Sequence, residues 1–488
     1  MLNQEQTPDA DRERRRAGIL LHLTSLPGPG PCGSLGPQAH KFVSFLADCG
    51  MSVWQILPVG PTEAGGSPYQ TNSVHAGNSR LIALEPLVER GWLRILPKDD
   101  VNNETLRRCW DGFRRRASDS DQRALTDFAA ENDYWLGNYA LFRALHEEQQ
   151  APWWNWPSDL RRRDPDALSR ARLRLKEDLD YIRFEQFLFF NQWQLLRGHA
   201  NAVGIELFGD MPIFVAHDSA EVWARPRDFD LNEDGSLRVV AGVPPDYFSA
   251  TGQRWGNPLY RWDRMRADGF RFWVDRIRTQ LRLFNMVRID HFRGFDACWE
   301  IPAEEKTAVK GRWVAAPGDE LFECLYRHFD RLPLIAEDLG VITPAVDALR
   351  RKHRLPGMRV LQFAFSEGPF NLHLPFLHDR DSLVYTGTHD NDTTLGWYRS
   401  MDAVTREQVD AYLGYPSEDM PWPLIRCALG SCAYLAILPM QDVLGLDGEH
   451  RMNLPGTSEG NWRWRFSWDQ VGPELADRMR RLTKLYAR

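Results

Sequence analysis

Eight short apolar runs recur along this chain, centred near residues 19, 53, 203, 286, 334, 359, 383 and 434. Each stops at a turn former or an acid, and segments of helical periodicity, such as 40–49, 270–283, 344–353 and 406–412, separate many of them. Runs this short read as buried strands. Strands alternating with helices bury both faces of a parallel sheet. Eight such units point to the α/β class and a (β/α)8 TIM barrel. A doubly wound sheet is the rival, and it usually has fewer strands and a phosphate loop after the first. The loop after the first run, LPGPGPCGSLG (26–36), is not a P-loop, because no GK[ST] follows it. It reads as a rigid turn or as a ligand-facing loop at a strand end.

Two stretches interrupt the rhythm. Residues 91–198 have few β-like runs and read as a mostly helical insertion. Residues 217–269, rich in Pro, Gly and aromatics, read as a loop insertion. Residues 1–16 are polar, charged and aperiodic, and read as a disordered lead. The expected organisation is that lead followed by one catalytic domain over 17–488.

Composition removes several classes of function. The net charge of -7 argues against a nucleic-acid partner, which needs a basic field. No apolar run reaches the length that spans a membrane, and the N-terminus lacks the apolar core of a secretory signal. A cytoplasmic location follows as the expectation. The seven cysteines are odd in number and lack CxxC spacing, so neither a disulfide framework nor a zinc cluster is expected. The chain has 19 Trp, 13 Tyr and 25 Phe. Such side chains fill cores, and they also supply flat faces for sugar rings.

The strongest chemical signal is an apolar run that ends abruptly in an acid. Asp290 ends MVRID, Glu337 ends LIAE, and Asp390 follows LVYTGTH. In a barrel all three would reach the C-terminal mouth, where residues from different strands converge. Arg288 lies two residues before Asp290, so strand alternation points both side chains the same way. A guanidinium there favours the ionised form of Asp290. Two nearby carboxylates repel, and one of them tends to keep its proton. An ionised nucleophile beside a protonated acid is the arrangement of a retaining glycosidase. His217, His291 and His389 show no HExxH-type spacing, and no GxSxG elbow occurs. No metal or other cofactor is expected.

Longer motifs carry a family resemblance. They are SPYQTNSVHAGN (67–78), GDMPIFVAHDSAEVWARP (209–226), AGVPPDYFSATGQRWGNPLY (241–260), VRIDHFRG (287–294), IAEDLG (335–340), GMRVLQFAF (357–365) and TGTHDN (386–391), with NLPGT (453–457) and NWRWR (461–465) near the end. Across about residues 17–470 the chain resembles the amylomaltases, or disproportionating enzymes, the 4-alpha-glucanotransferases of glycoside hydrolase family 77. The resemblance implies a (β/α)8 barrel with helical and loop insertions and no separate C-terminal β-sandwich. Too little chain follows the eighth run to build one.

It also implies Asp290 as nucleophile, Glu337 as general acid/base and Asp390 as transition-state stabiliser, assisted by Arg288 and His389. Donor and acceptor would be maltooligosaccharides and alpha-1,4-glucans, and the mechanism a retaining double displacement. Tyr69 and Asn257 are further substrate-binding candidates on the resemblance. Tyr247, Phe248 and Trp255 are candidates for stacking an acceptor sugar. The three acids alone do not separate transfer from hydrolysis. An alpha-glucan hydrolase and a non-catalytic glucan-binding protein remain the alternatives.

Overall fold

The computed structural model describes residues 14–28, 30, 32–63, 65–97, 103–245, 249–366, 368–457 and 459–488. Its strands are β1 (Arg16–Leu20), β2 (Val53–Gln55), β3 (Glu206–Pro212), β4 (Val239–Val243), β5 (Gln253–Arg254), β6 (Met286–Asp290), β7 (Ala297–Pro302), β8 (Arg312–Ala315), β9 (Leu334–Ala336), β10 (Gly357–Val360), β11 (Ser382–Tyr385) and β12 (Leu435–Pro439). Each of the eight apolar runs contains or adjoins one strand of an eight-stranded sheet ordered β10-β11-β12-β1-β2-β3-β6-β9. All of its pairings are parallel. The two end strands approach each other, and the Ala336 N–H donates to the Pro356 carbonyl at 2.9 Å. The sheet is therefore a nearly closed, TIM-barrel-like cylinder with helices around it.

Side-chain alternation divides the cylinder into an inside and an outside. Leu20, Val53, Phe208, Met286, Ile335, Met358, Leu383 and Leu435, one from each strand, belong to one buried interior cluster. The same alternation carries Gln55, Asp210, Arg288 and Asp290 to that interior face. The strand interiors are apolar, and polar side chains gather toward the C-terminal ends of β2, β3 and β6. The outward residues meet the helices. Gly209 is one, and a Cβ built there would lie 2.2 Å from the Phe284 ring. Only glycine lets β3 approach that ring.

The structure refines the expected boundaries. Helices begin at Glu85–Glu89 and continue to a 27-residue helix, Lys176–Ala202, so the helical region is wider than residues 91–198. Residues 217–269 are not loop alone. They hold β4, β5 and the helices Ala220–Ala224 and Trp262–Ala267. β4 and β5 pair with β7 and β8 in a second, antiparallel sheet ordered β5-β4-β7-β8. Those strands are short, and β4 joins β7 across β6 in sequence, so no local pattern announces the sheet. Of the expected disordered lead, residues 1–13 lie outside the described residues. Arg16 already belongs to β1, and Arg15 donates to the carbonyls of Leu429, Ser431 and Tyr486. After β12 the described residues form no further strand. Among the described residues no helix is long and apolar enough to cross a membrane. All seven cysteines are free thiols.

Gly209→Ala should test the packing of β3 on its helix layer. Overpacking costs about 1–3 kcal/mol, so the thermal midpoint should fall by several degrees, while Gly204→Ala, with nothing within 4 Å of the added Cβ but a positive φ, reports backbone strain alone. An unchanged midpoint for Gly209→Ala would contradict the close approach of Phe284.

Candidate active site

β3 and β6 lie side by side in a register that pairs Asp210 with Arg288 and Pro212 with Asp290. The Arg288 guanidinium is buried, at 5 % side-chain exposure. One of its nitrogens donates to both Asp210 oxygens, at 2.8 and 2.7 Å. Another donates to Asp290 Oδ1 at 2.8 Å. Burial pulls the guanidinium pKa down, but Asp210 and Asp290 outweigh it and hold the group charged. A buried ion pair is tolerable when its remaining polar atoms are satisfied. Here the Tyr69 hydroxyl donates to Asp210 Oδ2 at 2.6 Å.

Tyr69 links this cluster to His389. Their rings stack at 5.3 Å, and the Tyr69 oxygen lies 2.8 Å from His389 Nε2. The single phenol proton goes to Asp210, so the Tyr69 oxygen accepts from His389. That assignment puts a hydrogen on His389 Nε2. Burial and the neighbouring Asp210 push the Tyr69 phenol well above its ordinary pKa, so it stays a donor. His389 Nε2 also lies 3.3 Å from Asp390 Oδ2. Asp390 is about half exposed. Its Oδ1 accepts from Asn453 Nδ2 at 2.6 Å, and its carbonyl accepts from Arg451 at 2.9 Å.

Glu337 follows β9, next to β6. Its backbone N–H donates to the Ile289 carbonyl at 3.0 Å. Its side chain accepts two backbone N–H groups, His291 at 2.7 Å and Leu339 at 3.0 Å. His291 adopts a left-handed backbone, φ 56, immediately after Asp290. Non-glycine residues rarely take that conformation, and those that do often sit where function fixes them. The Trp255 ring meets His291 edge-on at 4.7 Å. Burial holds the His291 imidazole down at about 3, so it is neutral.

The two carboxyls differ in their neighbours. Burial first, and then the negative charge of Asp290, push the Glu337 carboxyl up to about 7. Burial also raises Asp290, reinforced by Asp210 and Asp390 and opposed by Arg288. The guanidinium acts on Asp290 in the direction expected from sequence, but burial outweighs it. One carboxyl that keeps its proton near neutrality, beside one bound directly to a cation, can serve as acid and nucleophile in a two-step displacement at a sugar carbon.

The structure thus brings together Asp290, Glu337, Asp390, Arg288, His389 and Tyr69. Trp255 is half-buried beside His291. Asn257 is buried, and its amide donates to the Val215 carbonyl at 2.9 Å while its own carbonyl accepts from Ala241. That amide anchors a loop. Tyr247 and Phe248 lie outside the described residues. Sequence reasoning did not single out Asp210, Asn453 or Trp462. Asp210 ends an apolar run, ELFGD, in the same way as Asp290. Trp462, in a left-handed backbone at φ 64, packs 5.9 Å from Tyr69 and 6.0 Å from His389.

Comparison with known proteins matches residues 21–470 to the glycoside hydrolase 77 family, described as 4-alpha-glucanotransferase. The chain is 49% identical to the 4-alpha-glucanotransferase of Thermus thermophilus over 96% of this chain and 98% of that protein. It is 46% identical to the Synechocystis 4-alpha-glucanotransferase over 98% of each. Among solved structures, an amylomaltase from Streptococcus agalactiae in complex with acarbose superposes with a TM-score of 0.93 at 34% identity, covering 97% of this chain and all of that one.

The raised Glu337 carboxyl has a consequence for stability. Its folded pKa of about 7 exceeds the unfolded value of about 4.3. Between those values the folded state binds more protons than the unfolded state, so this group lowers stability as pH rises across the window. Glu337→Gln removes that titration. The variant's thermal midpoint should gain on that of the natural protein from about pH 4.5 to 7 and then hold level. A difference that is flat or falling over that range would contradict the shift.

Proposed function

The chain belongs to the 4-alpha-glucanotransferases of glycoside hydrolase family 77, and from that premise we propose how its site performs the reaction. The enzyme transfers glucan segments between maltooligosaccharides. The observation that carries the residue assignment is the contrast between Glu337, protonated up to about pH 7, and Asp290, bound to a buried guanidinium.

In the first half-reaction Glu337 gives its proton to the oxygen of an alpha-1,4 bond while an Asp290 oxygen attacks the anomeric carbon. The bond to the leaving glucan breaks, and its oxygen departs as a hydroxyl. A beta-linked glycosyl ester to Asp290 remains. In the second half, Glu337, now a carboxylate, takes the proton from the 4-hydroxyl of an acceptor glucan. That oxygen attacks the anomeric carbon, the ester breaks, and Asp290 is released. Two inversions restore the alpha linkage. Arg288 orients Asp290. Asp390 and His389 bind hydroxyls of the donor ring as oxocarbenium character grows, and Tyr69 fixes the His389 ring.

Transfer requires that a sugar outcompete water for the ester. Trp255, beside His291, is positioned to serve as a stacking surface for an acceptor, and Tyr247 and Phe248 are assigned the same role from the PPDYFSATGQRWGNPLY motif. Asn257 supports that loop through the Val215 carbonyl. We read residues 17–488 as a single (β/α)8 catalytic domain with no separate C-terminal β-sandwich.

Purified protein given maltotriose should produce glucose and a ladder of longer glucans with nearly constant reducing ends. Reducing ends rising in step with donor loss, without longer products, would replace transfer by hydrolysis. Because the first step needs protonated Glu337, kcat/KM should fall about tenfold per pH unit above about 7. Asp290→Ala should abolish turnover on every donor. Glu337→Gln should lose far more rate on maltotriose than on a glucosyl donor with a good leaving group, and equal losses on both would remove Glu337 as the acid.

A further inference from the structure

The antiparallel sheet borders a groove of about 500 Å³ to which none of the six clustered residues of the active site contributes. That volume falls within the range of about 300–1,000 Å³ of small-molecule sites. Leu259 and Val314 supply apolar wall, and Trp262, Asp230, Arg238 and Glu300 supply the polar groups.

Two of these side chains have polar atoms left over. Trp262 is half-buried and stacks on Trp273, with ring centroids 6.1 Å apart. Among the described residues, no group accepts from its indole N–H. Glu300 is 11% exposed. Its Oε1 takes both contacts from Arg312, at 2.8 and 2.7 Å, the residue opposite it on β8. Among the described residues, nothing donates to Glu300 Oε2. Two residues that line the groove therefore carry, among the described residues, one donor and one acceptor without a protein partner.

The charges in the groove are otherwise balanced. Arg238 grips both oxygens of Asp230, Arg312 holds Glu300, and Arg261 sits beside Asp263. A paired lining selects neither an anion nor a cation. It suits a neutral ligand whose groups both donate and accept, which describes a sugar hydroxyl. The C–H faces of sugar rings complement the indole and the aliphatic wall.

We propose that this groove, which the reacting carboxylates do not line, is an accessory binding site for a distal stretch of alpha-1,4-glucan. It rests on the assignment of alpha-1,4-glucans as substrates. The occupant follows from the neutral, hydroxyl-matched lining and from a substrate that is a chain long enough to engage two places on one enzyme. The site serves long glucans and leaves short ones indifferent.

The experiment compares the natural protein with Trp262→Phe, which keeps an aromatic ring on Trp273 but removes the N–H, and with Glu300→Ala. Retardation in glycogen-containing native gels and KM for glycogen are measured beside kcat/KM for maltotriose. Each variant should weaken glycogen retention and raise its KM about fivefold, the equivalent of one net hydrogen bond. Their kcat/KM for maltotriose should be unchanged. Hydrogen exchange with maltoheptaose should show protection over residues 259–263 and 298–302 that a protein carrying both Trp262→Phe and Glu300→Ala lacks. Retention and KM equal to those of the natural protein in both variants would overturn the site. So would equal losses on glycogen and maltotriose, which would trace the effect to the fold or the active site. Natural protein that converts maltotriose but is not retarded by glycogen would overturn the accessory site alone. Natural protein that leaves maltotriose intact would overturn the transferase reading, and the accessory site with it.

Discussion

A cation buried at the mouth of the barrel has to be surrounded by carboxylates, and much of the site follows from satisfying Arg288. Its charge is stable there because Asp210 takes two of its hydrogen bonds and Asp290 a third. The parallel register of β3 and β6 supplies both acids without any loop rearrangement. Asp210 then needs another donor, and Tyr69 supplies it from the segment after β2. Tyr69 in turn accepts from His389, which follows β11. A chain of charge and hydrogen-bond requirements thus joins four separate segments. Removing one partner of a buried pair leaves an uncompensated charge, at a cost of about 3–5 kcal/mol. The arrangement is consequently more constrained than its individual contacts suggest.

The loop that carries His389 and Asp390 is held from below by a second buried acid. Asp442 accepts from the Thr394 N–H at 2.7 Å and from the hydroxyls of Thr386 and Thr394, which bracket the loop. Inside the loop, Asn391 accepts from the Thr388 N–H and hydroxyl, both at 2.8 Å. From above, Asn453 and Arg451 hold Asp390. Farther along the same C-terminal segment, Arg465 grips the carbonyls of Leu26, Gly28 and Gly30, tying the first strand's loop to the end of the chain. An exposed aspartate can be positioned well when its neighbours have no freedom to move it.

How much of this was legible depended on the range of the signal. Strand-end acids announce themselves locally, because burial demands an apolar run and the mouth of a barrel permits a charge. Arg288 and Asp290 could be paired from their spacing alone. Asp210 obeys the same rule but is masked by Gly209, which breaks its apolar run for the sake of the Phe284 ring. Trp462 reaches the site through long-range packing, which no local pattern encodes. The tryptophans divide between the core and half-exposed positions. Trp54, Trp153, Trp193, Trp223 and Trp273 are fully buried core, while Trp255, Trp262 and Trp462 are half-exposed at the active site or the groove. The antiparallel sheet was illegible for a different reason: the β4–β5 pair is only two residues deep, and β4 meets β7 only beyond β6 in sequence.

The last constraint is that two carboxyls of nearly identical intrinsic acidity must hold different protonation states in one pocket. Burial cannot separate them, because it raises both. Backbone hydrogen bonds cannot do it either, because they favour a charged Glu337, the group that keeps its proton. What remains is the identity of the nearest formal charge. Asp290 is bound by a guanidinium at 2.8 Å, whereas among the described residues Glu337 accepts from two backbone N–H groups, feels Arg288 without a hydrogen bond to it, and feels the charge of Asp290 more strongly. The proton therefore settles on Glu337, and when the proposed ester forms on Asp290 that repelling charge disappears. Loss of the charge lowers the affinity of Glu337 for its proton just after that proton has left, so the carboxylate persists until an acceptor hydroxyl arrives. In the proposed reaction, the pairing that sets the resting state would thus also drive the switch of Glu337 from acid to base.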